Sequence, residues 1–312
     1  MTKSKRQTRS DIGRPTSNKK GFTKPLLRFA FFGTSHIAVY VLDELEKAGF
    51  APDLVVTLPE KPKGRGLAPS PTLVELWASA RNIEVLRPET FNPAFISKLK
   101  IKNYSLCIVA DYGKLLPKNI LDIPKKGFLN VHPSLLPRLR GPAPMRSAIL
   151  RDQRETGVTI MLVNEKMDQG PIVAQKKIMV QNWPVKNSEL EKLLMPEGGR
   201  LLTRILPEYA AGRIEPREQN HDLATYSEKF SRDDGLLDLY ADGYKNLLKI
   251  KALEGWPGAF AFFERNGKRV RVQILDAHME GGELVIGTVK PEGKKEMPYS
   301  EFIRSGAKAA SA

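Results

Sequence analysis

The sequence predicts an α/β unit built on a parallel sheet, followed by a small β-barrel, and three observations lead there. Between residues 27 and 110, apolar runs of strand length alternate with a stretch of helical period, the mark of βαβ units and hence of parallel strands. Beyond residue 223, short alternating strands are separated by Asn266-Gly267 and Gly281-Gly282, which are hairpin turns rather than crossovers. With 312 residues, 41% of them hydrophobic, the chain can also bury two modest cores.

Residues 1–24 hold eight Lys or Arg against one acid, Asp11, and almost nothing to bury, so this tail is expected to stay disordered. It suits a nucleic-acid arm or a solvated variable tail. An organellar targeting peptide is the third option, and it lacks an amphipathic helix because Ile12 is nearly alone as an apolar residue. Residues 27–34 then form a buried strand ending in a turn. A helix over 36–48 follows, with Val39, Leu42 and Leu45 at helical spacing, Ser35 as a cap and Gly49 as a stop.

The strand over 53–58 completes the first βαβ unit. Runs at 83–86, 106–110, 128–131, 158–163 and 172–180 add to the sheet. Residues 190–206 read as a helix that should break near Met195-Pro196-Glu197-Gly198, because proline lacks the amide hydrogen and crowds the preceding turn. The domains expected are therefore 25–207, a polar linker at 208–222, and 223–306 with one helix at 244–253.

The formal charge of +15 divides as +7 on residues 1–24, +9 on 25–207 and −1 on the rest, which points an anionic partner at the tail and the first domain. No apolar run approaches membrane-spanning length and no secretory signal opens the chain, so no membrane partner and a cytoplasmic location are expected, with an organellar matrix as the alternative. The single cysteine, Cys107, sits in an apolar strand and reads as a core residue, which excludes a disulfide scaffold.

Asn130, His132 and Ser134 alternate at the end of a predicted strand, so their side chains point to one side at the sheet edge where α/β sheets bind ligands. An amide beside an imidazole can stabilise the oxyanion formed when an amine attacks an acyl carbon. A carboxylate must then orient the imidazole and help move the proton. Asp168, in Lys166-Met167-Asp168-Gln169-Gly170, follows a strand and is the candidate, although composition alone does not select it among 35 acids. His36 reads as a surface residue at a helix start. Asp111 could touch a ligand or cap a turn. His221 and His278 lie far from any metal-ligand pattern, so no metal is assigned, and Gly33 lacks the further glycines of a dinucleotide site.

The runs Asn130 to Gly141 (NVHPSLLPRLRG) and Gly157 to Ala174 (GVTIMLVNEKMDQGPIVA) resemble the folate-dependent formyltransferases. Over residues 27–305 the likeness is to the members that formylate methionyl-tRNA. It implies a Rossmann-like catalytic domain and an OB-like second domain that holds tRNA, with Asn130, His132 and Asp168 as the catalytic residues. Ser134, Leu135, Leu136 and Pro137 match the stretch beside the folate, and the formyl donor implied is 10-formyltetrahydrofolate. The acceptor implied is initiator methionyl-tRNA, taken up by a monomer for translation initiation. Glu60 to Gly66 (EKPKGRG) resembles the loop that approaches the acceptor stem, with Arg65, Lys61 and Lys63 as its tRNA-binding residues; its Gly and Pro suit an exposed loop. This loop is shorter than in other members. Pro133 also stands where small residues are frequent, as it does in the glycinamide-ribotide enzymes.

Lys245, Lys249 and Lys251, with Lys268, Arg269 and Arg271, could give the second domain a basic face. Gly255-Trp256-Pro257-Gly258-Ala259 resembles a signature of that domain, and Trp256 is expected to pack where helix meets barrel. The rivals are a formyltransferase for a sugar nucleotide or other small amine, and a noncatalytic RNA-binding protein with a decayed core; retention of all three catalytic candidates argues against the latter.

Overall fold

The computed structural model describes residues 27–59, 61–63 and 68–310. The basic tail and Arg65 lie outside the described residues. In β1 (Phe29–Gly33) every side chain is buried, so this strand must be covered on both faces, as central parallel strands are. It leads through Ser35, whose hydroxyl accepts from the Ile37 amide, into α1 (His36–Lys47) and then β2 (Leu54–Val56). Of the segment expected as an exposed loop, the described part is instead a strand, β3 (Lys61–Lys63), paired antiparallel with β4 (Ala68–Ser70). Lys61 and Lys63 therefore stand on a strand, with Pro62 opposite Pro69.

The chain continues through α2 (Leu73–Ser79), β5 (Glu84–Leu86), α3 (Pro93–Lys102), β6 (Leu106–Ala110) and α4 (Lys118–Leu121). Next come β7 (Phe128–His132), α5 (Pro144–Leu150), β8 (Glu155–Leu162) and β9 (Ile172–Met179). The resulting seven-stranded sheet has the order β5-β2-β1-β6-β7-β8-β9. Its strands β5 to β7 run parallel, and β8 and β9 each pair antiparallel with the strand before. From β1 the chain moves outward to β2 and β5, then returns to β6 on the other side. The connections leaving β1 and β6 diverge, which opens a crevice at their carboxyl ends. Cys107 is buried in β6, and burial pushes its thiol up to about 12, so it is an inert core group.

The expected break in the next helix does not occur: α6 (Asn187–Ala210) runs continuously through Pro196 and Pro207. A proline removes one hydrogen bond, and the buried stripe Leu190, Leu194, Leu201, Leu202 and Leu206 holds the helix together around that loss. Gly198 and Gly199 are points of close approach. A Cβ on them would stand 2.5 Å from Val131 Cγ1 and 2.7 Å from Glu44 Cβ. Lacking it, α6 lies directly on β7 and α1, across the face of the sheet beside the crevice.

The stretch 208–222, which the sequence marks as a linker, ends α6 and then turns back along the first sheet. Arg217 exchanges both backbone hydrogen bonds with Ile172, at 2.8 and 2.7 Å, and Arg140 pairs with Tyr226 just beyond. After α7 (Gly243–Ala252) come β10 (Phe260–Arg265), β11 (Lys268–Glu280), β12 (Glu283–Pro291), β13 (Met297–Pro298), α8 (Tyr299–Arg304) and β14 (Lys308–Ala309). Their sheet, β13-β12-β11-β10-β14, is antiparallel and bends at a bulge between Ile274 and Ala277. This is the small barrel-like unit expected. Its hairpins turn at Asn266-Gly267 and Gly281-Gly282, all four at positive φ.

Two expectations for this unit are corrected. Of the helix lysines only Lys245 is exposed; Lys249 Nζ donates to the Leu236 carbonyl at 2.6 Å and Lys251 pairs with Asp276. Packing thus draws these two lysines inward, while Lys245 on the helix and Lys268 and Arg269 on the strand remain exposed. Trp256 does not pack at the helix–barrel junction either, because the turn between Gly255 and Gly258, both at positive φ, leaves it 59% exposed.

Candidate active site

At the carboxyl edge of the first sheet lies a cavity of about 560 Å³, the size of a small-molecule site. Ser35 and His36 after β1, residues 111–116 after β6, Asn130 and His132 of β7, Gly141 to Arg146, Asn164, Lys166 to Asp168, and Asn187, Glu191 and Met195 of α6 all line it. At its base the loops after β1 and β6 are tied together. The Ser35 hydroxyl donates to the Asp111 carboxylate, and the Thr34 amide donates to the Asp111 carbonyl at 3.1 Å. Asp111 thus joins the loops and faces the cavity.

Asn130 and His132 stand two apart on β7 and share one side, as strand geometry requires. The His132 ring is 4% exposed. Its Nε2–H donates to the Leu139 carbonyl at 3.0 Å, which fixes the proton on that nitrogen because a carbonyl only accepts. Nδ1 faces Asp168 Oδ1 at 3.7 Å. Asp168 sits at φ 54, in the left-handed region, and its Oδ2 accepts from the Gly141 amide at 2.7 Å. Gly141 itself is at φ +111, and a Cβ there would meet Ser227 Oγ at 2.8 Å. Only glycine brings this amide to the carboxylate.

Ser134, Leu135, Leu136 and Pro137 are not in the lining of this cavity; Leu135, Leu136 and Pro137 line a second cavity, of about 520 Å³, with Arg138, Gln175 and Lys177. The Ser134 hydroxyl donates to the Arg138 carbonyl at 2.6 Å, and its carbonyl accepts from Thr159 Oγ1 at 2.6 Å. Leu136 is buried with Met161 and Ile172. Among the described residues no group of His, Cys, Asp and Glu could hold a metal ion.

On the opposite wall, α6 supplies polar atoms that the sequence reading passed over. Glu191 is 8% exposed; its carboxylate accepts from Asn187 Nδ2 at 2.6 Å and meets His36 Nε2 at 2.8 Å. Asn187 Oδ1 is buried and has no hydrogen-bond partner among the described residues. Arg146 lies next to them, its Nη1 donating to the carbonyls of Ala252 and Glu254 at 3.2 and 3.4 Å. Burial holds its guanidinium below the usual value, with Glu191 and Glu254 pulling it back up.

A family model described as formyl transferase matches residues 27–206. The curated methionyl-tRNA formyltransferase of Thermus thermophilus is 38% identical over 303 residues, covering 89% of this chain and 96% of its own. The chain belongs to the methionyl-tRNA formyltransferase family. Among solved structures, the methionyl-tRNA formyltransferase from Clostridium thermocellum superposes with a TM-score of 0.58 at 16% identity, over 85% of this chain and 99% of that one. A sugar N-formyltransferase from Shewanella superposes with 0.60 at 15% identity, over 82% and 100%. At such identities these two show the fold. Asn130, His132 and Asp168 come together in one cavity of this chain. Asn187 and Glu191 carried a sequence signal after all, since two polar residues four apart on an apolar helix stripe need a reason to be buried.

Proposed function

We propose that the protein transfers the formyl group of 10-formyltetrahydrofolate to the free amino group of initiator methionyl-tRNA. The observation that carries this reading is the juxtaposition of His132 Nδ1 and Asp168 Oδ1 at 3.7 Å in a cavity that Asn130 also lines. The amine attacks the formyl carbon, a C–N bond forms, and negative charge collects on the formyl oxygen. The Asn130 amide donates to that oxygen. His132, whose Nε2–H is held by Leu139, turns its Nδ1 edge to the reacting group, where Asp168 orients and supports it. Asp168 also takes part in removing the proton from the attacking nitrogen. The intermediate collapses by breaking the bond to folate nitrogen, and tetrahydrofolate leaves with that electron pair and a proton.

Tyr112, Leu115, Leu116 and Met167 give one half of the cavity an apolar lining suited to the flat donor ring. Residues 134–137 act there indirectly, through the loop they shape. The other half, toward α6 and Arg146, is left for the aminoacyl end of the acceptor. The hairpin bearing Lys61 and Lys63, with Arg65 between its strands in the sequence, contacts tRNA phosphates, and the protein works as a cytoplasmic monomer. No described helix is long and apolar enough to cross a membrane.

The test is incubation with formyl donor and charged initiator tRNA beside a panel of small amines, for the natural protein and for His132→Ala and Asp168→Ala. Formylated tRNA is expected, with each variant slower by about a hundredfold or more. Near-normal transfer by either variant would remove that residue from the mechanism. Formylation of a small amine alone would replace the acceptor.

A further inference from the structure

Among the described residues Arg140 is the bulkiest fully buried side chain, 1% exposed, and its side-chain hydrogen bonds go to an amide, an imidazole and a hydroxyl. Nε and Nη2 both donate to Gln219 Oε1, at 3.0 and 2.7 Å, Nη2 also meets His221 Nδ1 at 2.9 Å, and Nη1 reaches the Tyr226 hydroxyl at 3.4 Å. Burying a cation is costly, and it persists where its hydrogen bonds hold something in place. What Arg140 holds is an amide. Gln219 is 4% exposed, and its Nε2 donates to the main-chain carbonyls of Asp168 at 2.9 Å and Gly170 at 2.7 Å.

Two donors on Oε1 leave this amide one orientation, with both N–H bonds aimed at the turn that carries Asp168. That turn is left-handed at Asp168, a conformation that costs free energy unless its surroundings enforce it. Neighbouring residues grip it from both ends: the Gly141 amide takes the carboxylate, while Arg140 acts through Gln219 on the backbone.

We propose that Gln219, oriented by Arg140, is a positioning residue that sets the distance between Asp168 and His132, so that the segment after α6 completes the active site. This rests on the role given to Asp168 above.

Gln219→Glu separates positioning from simple neutralisation of a buried charge. It keeps the size of the side chain and gives Arg140 a carboxylate, but it replaces both donors with oxygen facing two carbonyls. The full chain is expected to fold, with a melting temperature lowered by several degrees for the two buried hydrogen bonds lost. Its kcat should fall about tenfold to a hundredfold, with KM for donor and acceptor within about threefold. Arg140→Lys, which keeps the charge and loses the two-pronged donation, should show the same pattern more weakly. In an Asp168→Asn background, measured in single turnover, Gln219→Glu should change the rate less than about twofold, because its effect passes through Asp168.

A normal kcat for Gln219→Glu overturns the proposal, and so does an equal fold loss in both backgrounds. Should Gln219→Glu not fold, Arg140→Lys decides by the same cycle. A normal kcat for Asp168→Asn overturns the catalytic reading itself, an outcome distinct from failure of the positioning step alone.

Discussion

On the Asp168 side of the cavity polar groups are engaged within the protein: the carboxylate by the Gly141 amide, the backbone behind it by Gln219, the His132 Nε2–H by Leu139. On the α6 side the Asn187 oxygen has no partner among the described residues, and Glu191 lines the cavity. The contrast separates two kinds of work. Groups that must be in place when charge develops are held beforehand, because preorganisation lowers the barrier without reorganisation at the moment of reaction. Groups that recognise a ligand keep valences open, since an unmade buried hydrogen bond is repaid when the ligand arrives.

Substitutions on the two walls should therefore fail differently. Asp168→Ala should lower kcat by about a hundredfold to ten-thousandfold with little change in either KM; steady-state kinetics showing the loss chiefly in KM would break the division. Asn130→Ala, which removes the proposed oxyanion donor, should cost about a hundredfold to a thousandfold in kcat. Asn187→Ala should raise KM for the acceptor by roughly twofold to tenfold, the worth of one hydrogen bond, and leave KM for the donor alone; a rise for the donor would assign the α6 wall to folate.

The smallest effect belongs to neither wall. The Tyr244 hydroxyl donates to Asp152 Oδ1 at 2.9 Å, joining α7 to the turn after α5. Tyr244→Phe should lower the melting temperature by about 2–4 °C and leave kinetics unchanged, which sets the scale of a merely structural loss.

The fold was legible where burial and period act locally. The run Leu106–Ala110 is wholly buried and became a strand with the expected bounds, and Asn266-Gly267 turned as such dipeptides do. Asn130 and His132 were legible as a pair, because a period of two at a strand end is written in adjacent residues. Asp168 carries no such mark, since an acid on a turn looks like any other, and only family resemblance singled it out. Gln219 and Arg140 lie 79 residues apart, so nothing local announces that one exists for the other. Pro196 misled for the opposite reason: its local preference is real, and packing of α6 on the sheet overrides it.

The exposed Trp256 gives the molecule an optical reporter. Its loop is bound to the cavity residue Arg146, which donates to the carbonyls of Ala252 and Glu254, and to the start of α6, where the Ser188 amide donates to the Glu254 carboxylate at 3.0 Å. Of the three tryptophans, Trp77 is buried with its indole on Asp43 and Trp183 is half-buried on Asp152. Red-edge emission and acrylamide quenching should therefore come mainly from Trp256, so that the arrival of a large acceptor can be followed in the unlabelled protein by its fluorescence.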